Sequence, residues 1–371
     1  MTSRSAVRDN RTPITVLTGF LGAGKTTVLN QLINQPAMSK SLVLINEFGE
    51  VGLDHHLVSE LRDDTVVELN SGCLCCTIRG DLVRTLKDAR WRFAREGEPW
   101  FERVLIETTG LADPAPIIHT LMSDNHIADR YRLDGVVAVI DLVNGLSTLG
   151  NHEEALKQAA MADCLVLTKA DLATEAQRLS LEHRLGLINP AARRVSALRG
   201  QLAADAIIGL GLYCADGRSP DVRAWLQAEA YESFGALPSG HDHHDHSHDH
   251  HHGDGSDHVH DPNRHDERIR ARCFTLDQPV EARRLDAALE MLLRLAGEDL
   301  LRVKGILNVQ GLDKPVVIHG VQHLFYPPES LPEWPDDDHR SRIVFITRDL
   351  SPKVLDALMS VMFGGVPEPA A

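Results

Sequence analysis

The chain has 371 residues and is sparing with three things. It holds only six cysteines, aromatic residues make up 5%, and the 38 Lys and Arg fall well short of the 53 Asp and Glu. The formal net charge of −15 excludes a protein that lives on phosphate backbones, because affinity for DNA or RNA is built on Lys and Arg. No stretch approaches the roughly 18 consecutive apolar residues that a membrane-crossing helix requires. The opening "MTSRSAVRDNRTPITVLTGF" lacks the apolar core of a secretory signal. These absences predict a cytoplasmic chain with no nucleic-acid and no membrane partner. Thiols stay reduced there, and clustered cysteines bind metal or do chemistry instead of forming disulfides.

Half of the scarce cysteine is concentrated in one place. Cys73, Cys75 and Cys76 fall within "ELNSGCLCCTIRGDL", residues 68–82, flanked by polar residues and glycine. Three soft thiolates can fill three corners of a tetrahedron around Zn²⁺, and they also suit Cu(I). Adjacent Cys75 and Cys76 point apart in an extended chain, so convergence requires a bend, which Gly72 assists. The residues alone leave two other readings open. One is inert buried thiols; the other is a redox pair, although C-x-C-C is not the C-x-x-C redox spacing. Cys164, Cys214 and Cys273 stand alone, and Cys164 in "ADCLVLTKAD" reads as a small buried residue of an apolar strand.

Length argues for two domains, and 43% apolar residues suffice for a sizeable core. Over the first 210 residues, "ITVLTGF", "SLVLINEF", "RVLIETTG", "DGVVAVIDL" and "CLVLTKAD" read as buried strands. "GKTTVLNQLINQ" and "RGDLVRTLKDARWRF" between them read as helices. Strand and helix in alternation predict an α/β domain with a mainly parallel sheet, ligands gathering at the carboxyl ends of its strands. We place this domain at residues 1–235. Residues 236–266 hold 11 of the 20 histidines among aspartates, with too little apolar surface to offset chain entropy, so they read as a disordered linker. Residues 267–371 read as a smaller α+β domain with strands in "RIRARCFTL", "DLLRVKGILNVQ", "KPVVIHGVQHLFY" and "SRIVFITRD". Its helices are "VEARRLDAALEMLLRLA" and "SPKVLDALMSVMF".

"GFLGAGKT", Gly19 to Thr26, fits G-x-x-x-x-G-K-[ST] at every position, after an apolar strand and before a helical pattern. Gly19, Gly22 and Gly24 permit close approach of backbone amides to phosphate oxygens. Lys25 reaches the β and γ phosphates, and the Thr26 hydroxyl ligates Mg²⁺. Glu107 closes another strand in "RVLIETTG" and can act on Mg²⁺ directly or through water, while Gly110 lets the chain near the γ-phosphate. In "LTKAD", Asp171 can accept from the ring N–H and exocyclic amine of guanine, and the Lys169 stem can cover the ring. Ser196 and Ala197 in "RVSAL" resemble the short guanine-side loop of GTPases. The nucleotide expected is GTP.

"TGFLGAGKTT", "NEFGEVGLD", "LNSGCLCC", "ETTGLADP" and "LTKAD", in this order, resemble the CobW-like GTPases. "LLRVKGIL" and "HGVQHLF" are similar to the C-terminal domain of that family. The resemblance implies a SIMIBI-type P-loop G domain with GTPase activity, zinc at the C-x-C-C loop, and insertion of metal into client proteins. It assigns Gly22, Ala23, Gly24, Lys25, Thr26 and Thr27 to phosphates and Mg²⁺. Cys73, Cys75 and Cys76 go to zinc, Glu47, Glu50 and Asp54 to a switch-like segment, and Thr168, Lys169 and Asp171 to guanine. Within that frame the catalytic candidates are Lys25, Glu50 and Glu107, and the magnesium ligands are Thr26, Asp54 and Glu107. Two positions depart from the family. Thr168 replaces the more usual Asn of N-K-x-D, which predicts modest guanine affinity, and Ile45 stands where some relatives carry a glutamate able to ligate metal.

The expectation is therefore a GTP-hydrolysing zinc chaperone whose partner is a client metalloprotein, with self-association into a homo-oligomer left open. Its rivals are a GTPase inserting cobalt for cobalamin or nitrile hydratase maturation, and a metal store with incidental GTPase activity. The histidine tract reads as a local metal buffer or as a solvated spacer.

Overall fold

The computed structural model describes residues 9–46, 66–68, 76–95, 97–211 and 268–363. Glu47, Glu50, Asp54, Cys73, Cys75, Cys214 and the whole tract expected as a linker at 236–266 lie outside the described residues.

Apolar, β-branched runs dictate the first domain. Strand β1 (Thr12–Gly19) leads through a glycine loop into α1 (Lys25–Ile33). Then follow β2 (Ser41–Asn46), β3 (Val66–Glu68), α2 (Cys76–Arg92), and a small antiparallel pair, β4 (Ala94–Arg95) and β5 (Glu98–Pro99). Next come β6 (Arg103–Thr108), α3 (Ala115–Ser123), α4 (Asn125–Ala128), β7 (Tyr131–Asp141), α5 (Gly145–Asn151) and α6 (Glu153–Met161). The domain closes with β8 (Cys164–Thr168), α7 (Glu175–Ile188) and β9 (Arg193–Ser196).

Seven strands pair in the order β3-β2-β6-β1-β7-β8-β9, and every pairing is parallel. Side chains alternate faces along each strand. Ile14 and Val16 of β1 therefore enter a core with Leu82, Leu86 and Ile118 from α2 and α3. Leu17 turns to the opposite face, where Val28, Leu29 and Leu32 of α1 meet Val137 and Val139. Coverage on both faces is what a parallel sheet of crossover units requires. Cys164 is fully buried in β8, as the sequence implied, and burial pushes its thiol up to about 12.

The second domain is an antiparallel sheet. It comprises β10 (Ile269–Leu276), β11 (Leu300–Leu307), β12 (Val316–Val321), β13 (Leu324–Phe325), β14 (Glu329–Ser330) and β15 (Ser341–Arg348), with α8 (Ala282–Ala296) and α9 (Pro352–Phe363). Strand order is β10-β15-β11-β12-β13, with β14 paired to β12. Phe274, Val303 and Phe345 pack on Leu285, Leu292 and Leu358 of the two helices. The opposite face lies against the first domain, where Leu301, Ile306, Val344 and Ile346 join Ala155, Leu181 and Leu185 of α6 and α7 in one core. Among the described residues, no helix is long and apolar enough to cross a membrane.

Three elements differ from the sequence reading. "RVSAL" begins as a strand, β9, paired to β8. β3 is a three-residue strand at the sheet edge. The single strand expected in "KPVVIHGVQHLFY" is two, folded back at Gln322, whose φ is 51. Gln-His carries none of the glycine, proline or asparagine that marks a turn, so nothing local announced the reversal.

One buried carboxylate ties the domains. Asp163, with a side chain 6% exposed, receives Arg302 Nη2 at 2.5 Å and Lys304 Nζ at 2.9 Å, while its Oδ2 accepts from the Val136 amide at 2.9 Å. Arg302 also donates to the Met161 carbonyl. Burial pushes the Asp163 carboxyl up, but the Arg302 and Lys304 cations outweigh it and hold the group well below the usual carboxylate range. Burial in turn lowers Lys304 to about 8, against the pull of Asp163.

Removing one partner of such a pair leaves buried charge uncompensated, so Asp163→Asn is expected to cost about 3–5 kcal/mol in urea unfolding at pH 7. The folded carboxyl titrates below its ordinary 3.8. Its contribution is thus present above the unfolded value and is lost progressively as pH falls below it toward the lower folded value. The gap between parent and variant stabilities should narrow from pH 5 to pH 3, and a constant gap would assign the ion pair no role in acid stability.

Candidate nucleotide-binding site

Because all seven strands run the same way, β1, β6, β7, β8 and β9 deliver their last residues to one edge of the sheet. The loop after β1 is held close. Gly19 has φ 140, and a Cβ there would sit 2.4 Å from the Val139 carbonyl oxygen, so no side chain fits. Gly24 takes the left-handed conformation at the N-cap of α1, which has no side-chain cap. The first amides of α1 are left to an external acceptor, and the helix dipole favours an anion. Lys25 Nζ donates to the Phe20 carbonyl at 3.3 Å, curling back over its own loop, and the Phe20 ring stacks on His152 at 4.3 Å.

Two of the three proposed magnesium ligands, Thr26 of α1 and Glu107 of β6, meet. Thr26 Oγ1 donates to Glu107 Oε1 at 3.0 Å, and Glu107 is buried at 5% exposure. A buried carboxylate beside a hydroxyl, next to uncapped helix amides, is a donor set fit for a hard cation bound to phosphate. Gly110 lies so close to the loop that a Cβ would be 2.7 Å from the Leu21 amide nitrogen.

The base-side residues adjoin this centre. Lys169 has φ 58, and its Nζ donates to Asp141 Oδ2 at 2.7 Å. Asp141 also accepts from the amides of Val143 (2.8 Å) and Asn144 and from Asn144 Nδ2 (2.9 Å). Burial pushes the Asp141 carboxyl up, but the bonds from Lys169, Asn144 and Val143 prevail and lower it. Asp171 has a side chain 33% exposed, with Arg199 Nε 3.9 Å away. Ala197 is fully buried and donates its amide to the Leu167 carbonyl at 2.8 Å, while Ser196 beside it is exposed. Gly200 closes this loop onto α1, where a Cβ would stand 2.8 Å from Thr27 Cγ2.

Comparison with known proteins matches this geometry to one family. Residues 13–196 match the model described as CobW/HypB/UreG, nucleotide-binding domain, and residues 269–362 match the cobalamin synthesis protein cobW C-terminal domain. The chain is 33% identical over 337 residues to the zinc chaperone YjiA of Escherichia coli strain K12, covering 91% of this chain and 94% of that one. The chain belongs to the CobW family. It is also 30% identical over 370 residues to the zinc chaperone CobW of Pseudomonas aeruginosa, covering 91% and 88%. The solved Zn(II)-bound YjiA GTPase from E. coli superposes with a TM-score of 0.63 at 27% identity, over 95% of this chain and 99% of that one. GTP binding and GTPase chemistry in general come with this CobW membership.

The structure also refines what sequence assigned. Thr168, expected at the base, is 4% exposed and donates its hydroxyl to the Ala23 carbonyl at 2.7 Å and to that of Ile140 at 3.2 Å. It holds the phosphate loop against β7 and β8, so its hydroxyl is committed to the loop. Ile45 packs against the core shared with α1. Cys76 begins α2, and among the described residues no cluster of three metal-ligating side chains forms. Asp141 and Gln158 went unnoticed in the sequence. Asp141 was findable as a carboxylate ending a parallel strand, whereas Gln158 sits mid-helix with no local mark.

Thr168→Val keeps the shape and removes the tie. It should weaken GDP and GTP binding together, by about 1 kcal/mol or roughly fivefold, in a fluorescent-nucleotide titration. The preference for GTP over ATP should stay as in the parent, and a selective loss of that preference would return Thr168 to the base.

Proposed function

We propose that the chain is a cytoplasmic, GTP-hydrolysing metallochaperone that loads zinc on Cys73, Cys75 and Cys76 and passes it to a client metalloprotein under control of the nucleotide. The observation that carries this reading is the Thr26–Glu107 hydrogen bond beside the uncapped N-terminus of α1. It joins the start of α1 to the end of β6 in one acceptor set for a metal-bound triphosphate. The α1 amides cradle phosphate oxygens, and Lys25, released from the Phe20 carbonyl, neutralises charge that builds on the β and γ oxygens during attack by water. Magnesium, held by Thr26 and Glu107 with Asp54 as the third proposed ligand, would supply charge neutralisation across those oxygens. Glu50 is proposed to act on the attacking water, and Asp171 to read guanine with Lys169 covering the ring.

Zinc is cargo in this reading. β3 ends at Glu68 on the edge that carries the phosphate loop, and α2 starts at Cys76. Three thiolates leave a fourth position open, which a transfer site needs and a closed structural site lacks. The relatives named zinc chaperones support zinc as the metal, with the histidine tract at 241–260 as a buffer that raises its local concentration.

Lys25→Ala should lower the hydrolysis rate by at least about 100-fold, as loss of a transition-state donor does. Hydrolysis at the parental rate would remove the phosphate-loop assignment.

Metal and nucleotide affinities should be reciprocally coupled by about 1–3 kcal/mol, so that zinc affinity differs roughly 5- to 150-fold between nucleotide states. A chromogenic-chelator competition, run with GDP and with a non-hydrolysable GTP analogue, reads this directly. Cys75→Ser and Cys76→Ser should weaken zinc sharply and leave nucleotide binding without metal near normal. Equal zinc affinities in both states would reduce the cysteines to a metal site that merely shares a domain with a GTPase.

A further inference from the structure

Helix α6 touches the nucleotide edge with one part and the C-terminal domain with the rest. Gln158 is fully buried, and its Nε2 donates to the carbonyls of Gly110 at 3.2 Å and Ala112 at 3.0 Å. One turn of backbone leaving Glu107 is therefore held by a single amide. The neighbouring Lys157 Nζ reaches Asp113 Oδ2 at 3.3 Å and Glu153 Oε1 at 3.5 Å. Glu153 also receives Arg348 of β15, and the last residue of the helix, Met161, accepts from Arg302 of β11. Glu153 and Lys157, four residues apart, line one face of the helix, and the Met161 carbonyl lies at its C-terminal end.

We propose that α6 is the rigid link by which the nucleotide acts on the C-terminal domain. Gln158 and Lys157 follow the loop after Glu107, and Glu153 and Met161 carry its displacement to Arg348 and Arg302. The proposal rests on reading Gly110 and its loop as the segment that meets the γ-phosphate. Three features suit α6 to this task. A nine-residue helix transmits force along its axis without bending over so short a span. Gly110 abuts Leu21 of the phosphate loop at a distance that admits no Cβ, so a shift of one backbone displaces the other. Gln158 Oε1 is buried with no hydrogen-bond partner, an acceptor ready for a loop amide when the backbone moves. A clamp with two settings requires such a spare group.

The test is a double-mutant cycle with Gln158→Met and Arg348→Met, whose side chains do not share a partner. The readout is the ratio of affinities for a non-hydrolysable GTP analogue and for GDP, measured on the full chain. If α6 is the link, Arg348→Met shifts this ratio by about 2- to 30-fold, the range typical of mutations along a coupling path. In the Gln158→Met background it shifts the ratio no further, because the latch is already open. An equal effect of Arg348→Met in both backgrounds, or no effect in the parent, overturns the link, since a purely structural role gives additive changes. Should Gln158→Met fail to fold, Asp113→Asn replaces it with the same two outcomes, since this partly exposed carboxylate pairs with Lys157 and shares no partner with Arg348. Gly110→Ala separates the underlying reading. If it leaves the ratio unchanged, the loop does not sense the γ-phosphate and the link falls with it. If it shifts the ratio while the cycle is additive, the link alone falls.

Discussion

Seven strands running in one direction are the constraint from which the site follows. Parallel pairing forces each connection to climb back over a face of the sheet, and it gathers the strand ends, with the N-termini of the following helices, on one edge. Gly19, Glu107, Asp141 and Thr168 lie on four adjacent strands and reach that edge in register, Leu17 opposite Glu107 and Asp141 opposite Thr168. Short polar contacts then become possible between residues more than a hundred positions apart. The hydroxyl of Thr168 on the Ala23 carbonyl is one such contact.

The C-terminal sheet is shaped by a different demand. Both of its faces are apolar, one covered by its own helices and one by the first domain. Hydrophobic area alone is tolerant of sliding, because it has no direction. Asp163, Arg302 and Lys304 add the direction. They fix which part of β11 meets the end of α6, and burial makes misalignment costly.

Much of this was legible in the chain. The five long strands of the first domain announce themselves as β-branched runs, and the phosphate loop as a spacing that admits little else. Motif context alone places Thr26 and Glu107 at one metal-bound phosphate, and their hydroxyl–carboxylate bond joins them there. What the sequence concealed is contact made at long range. The role of Thr168 depends on a carbonyl in another loop, so comparison with the usual Asn pointed toward the base and away from the backbone that the hydroxyl meets. Gln158 looks like an ordinary helix residue until the carbonyls of Gly110 and Ala112 are brought beneath it. The turn at Gln322 arises because β12 and β13 pair, a tertiary gain that offsets an unfavourable φ.

Among the described residues, two cysteines are buried, and their burial bears on the proposed metal chemistry. A thiol must lose its proton to hold a soft metal, and Cys164, raised to about 12, keeps its proton throughout the neutral range. Cys273 is likewise enclosed, 5% exposed within the second sheet. A carrier that held reactive thiols in its scaffold would compete with itself, trapping ions where no recipient can reach them. By sealing these sulfurs inside strands, the fold avoids becoming a sink for the very ion it is proposed to give away.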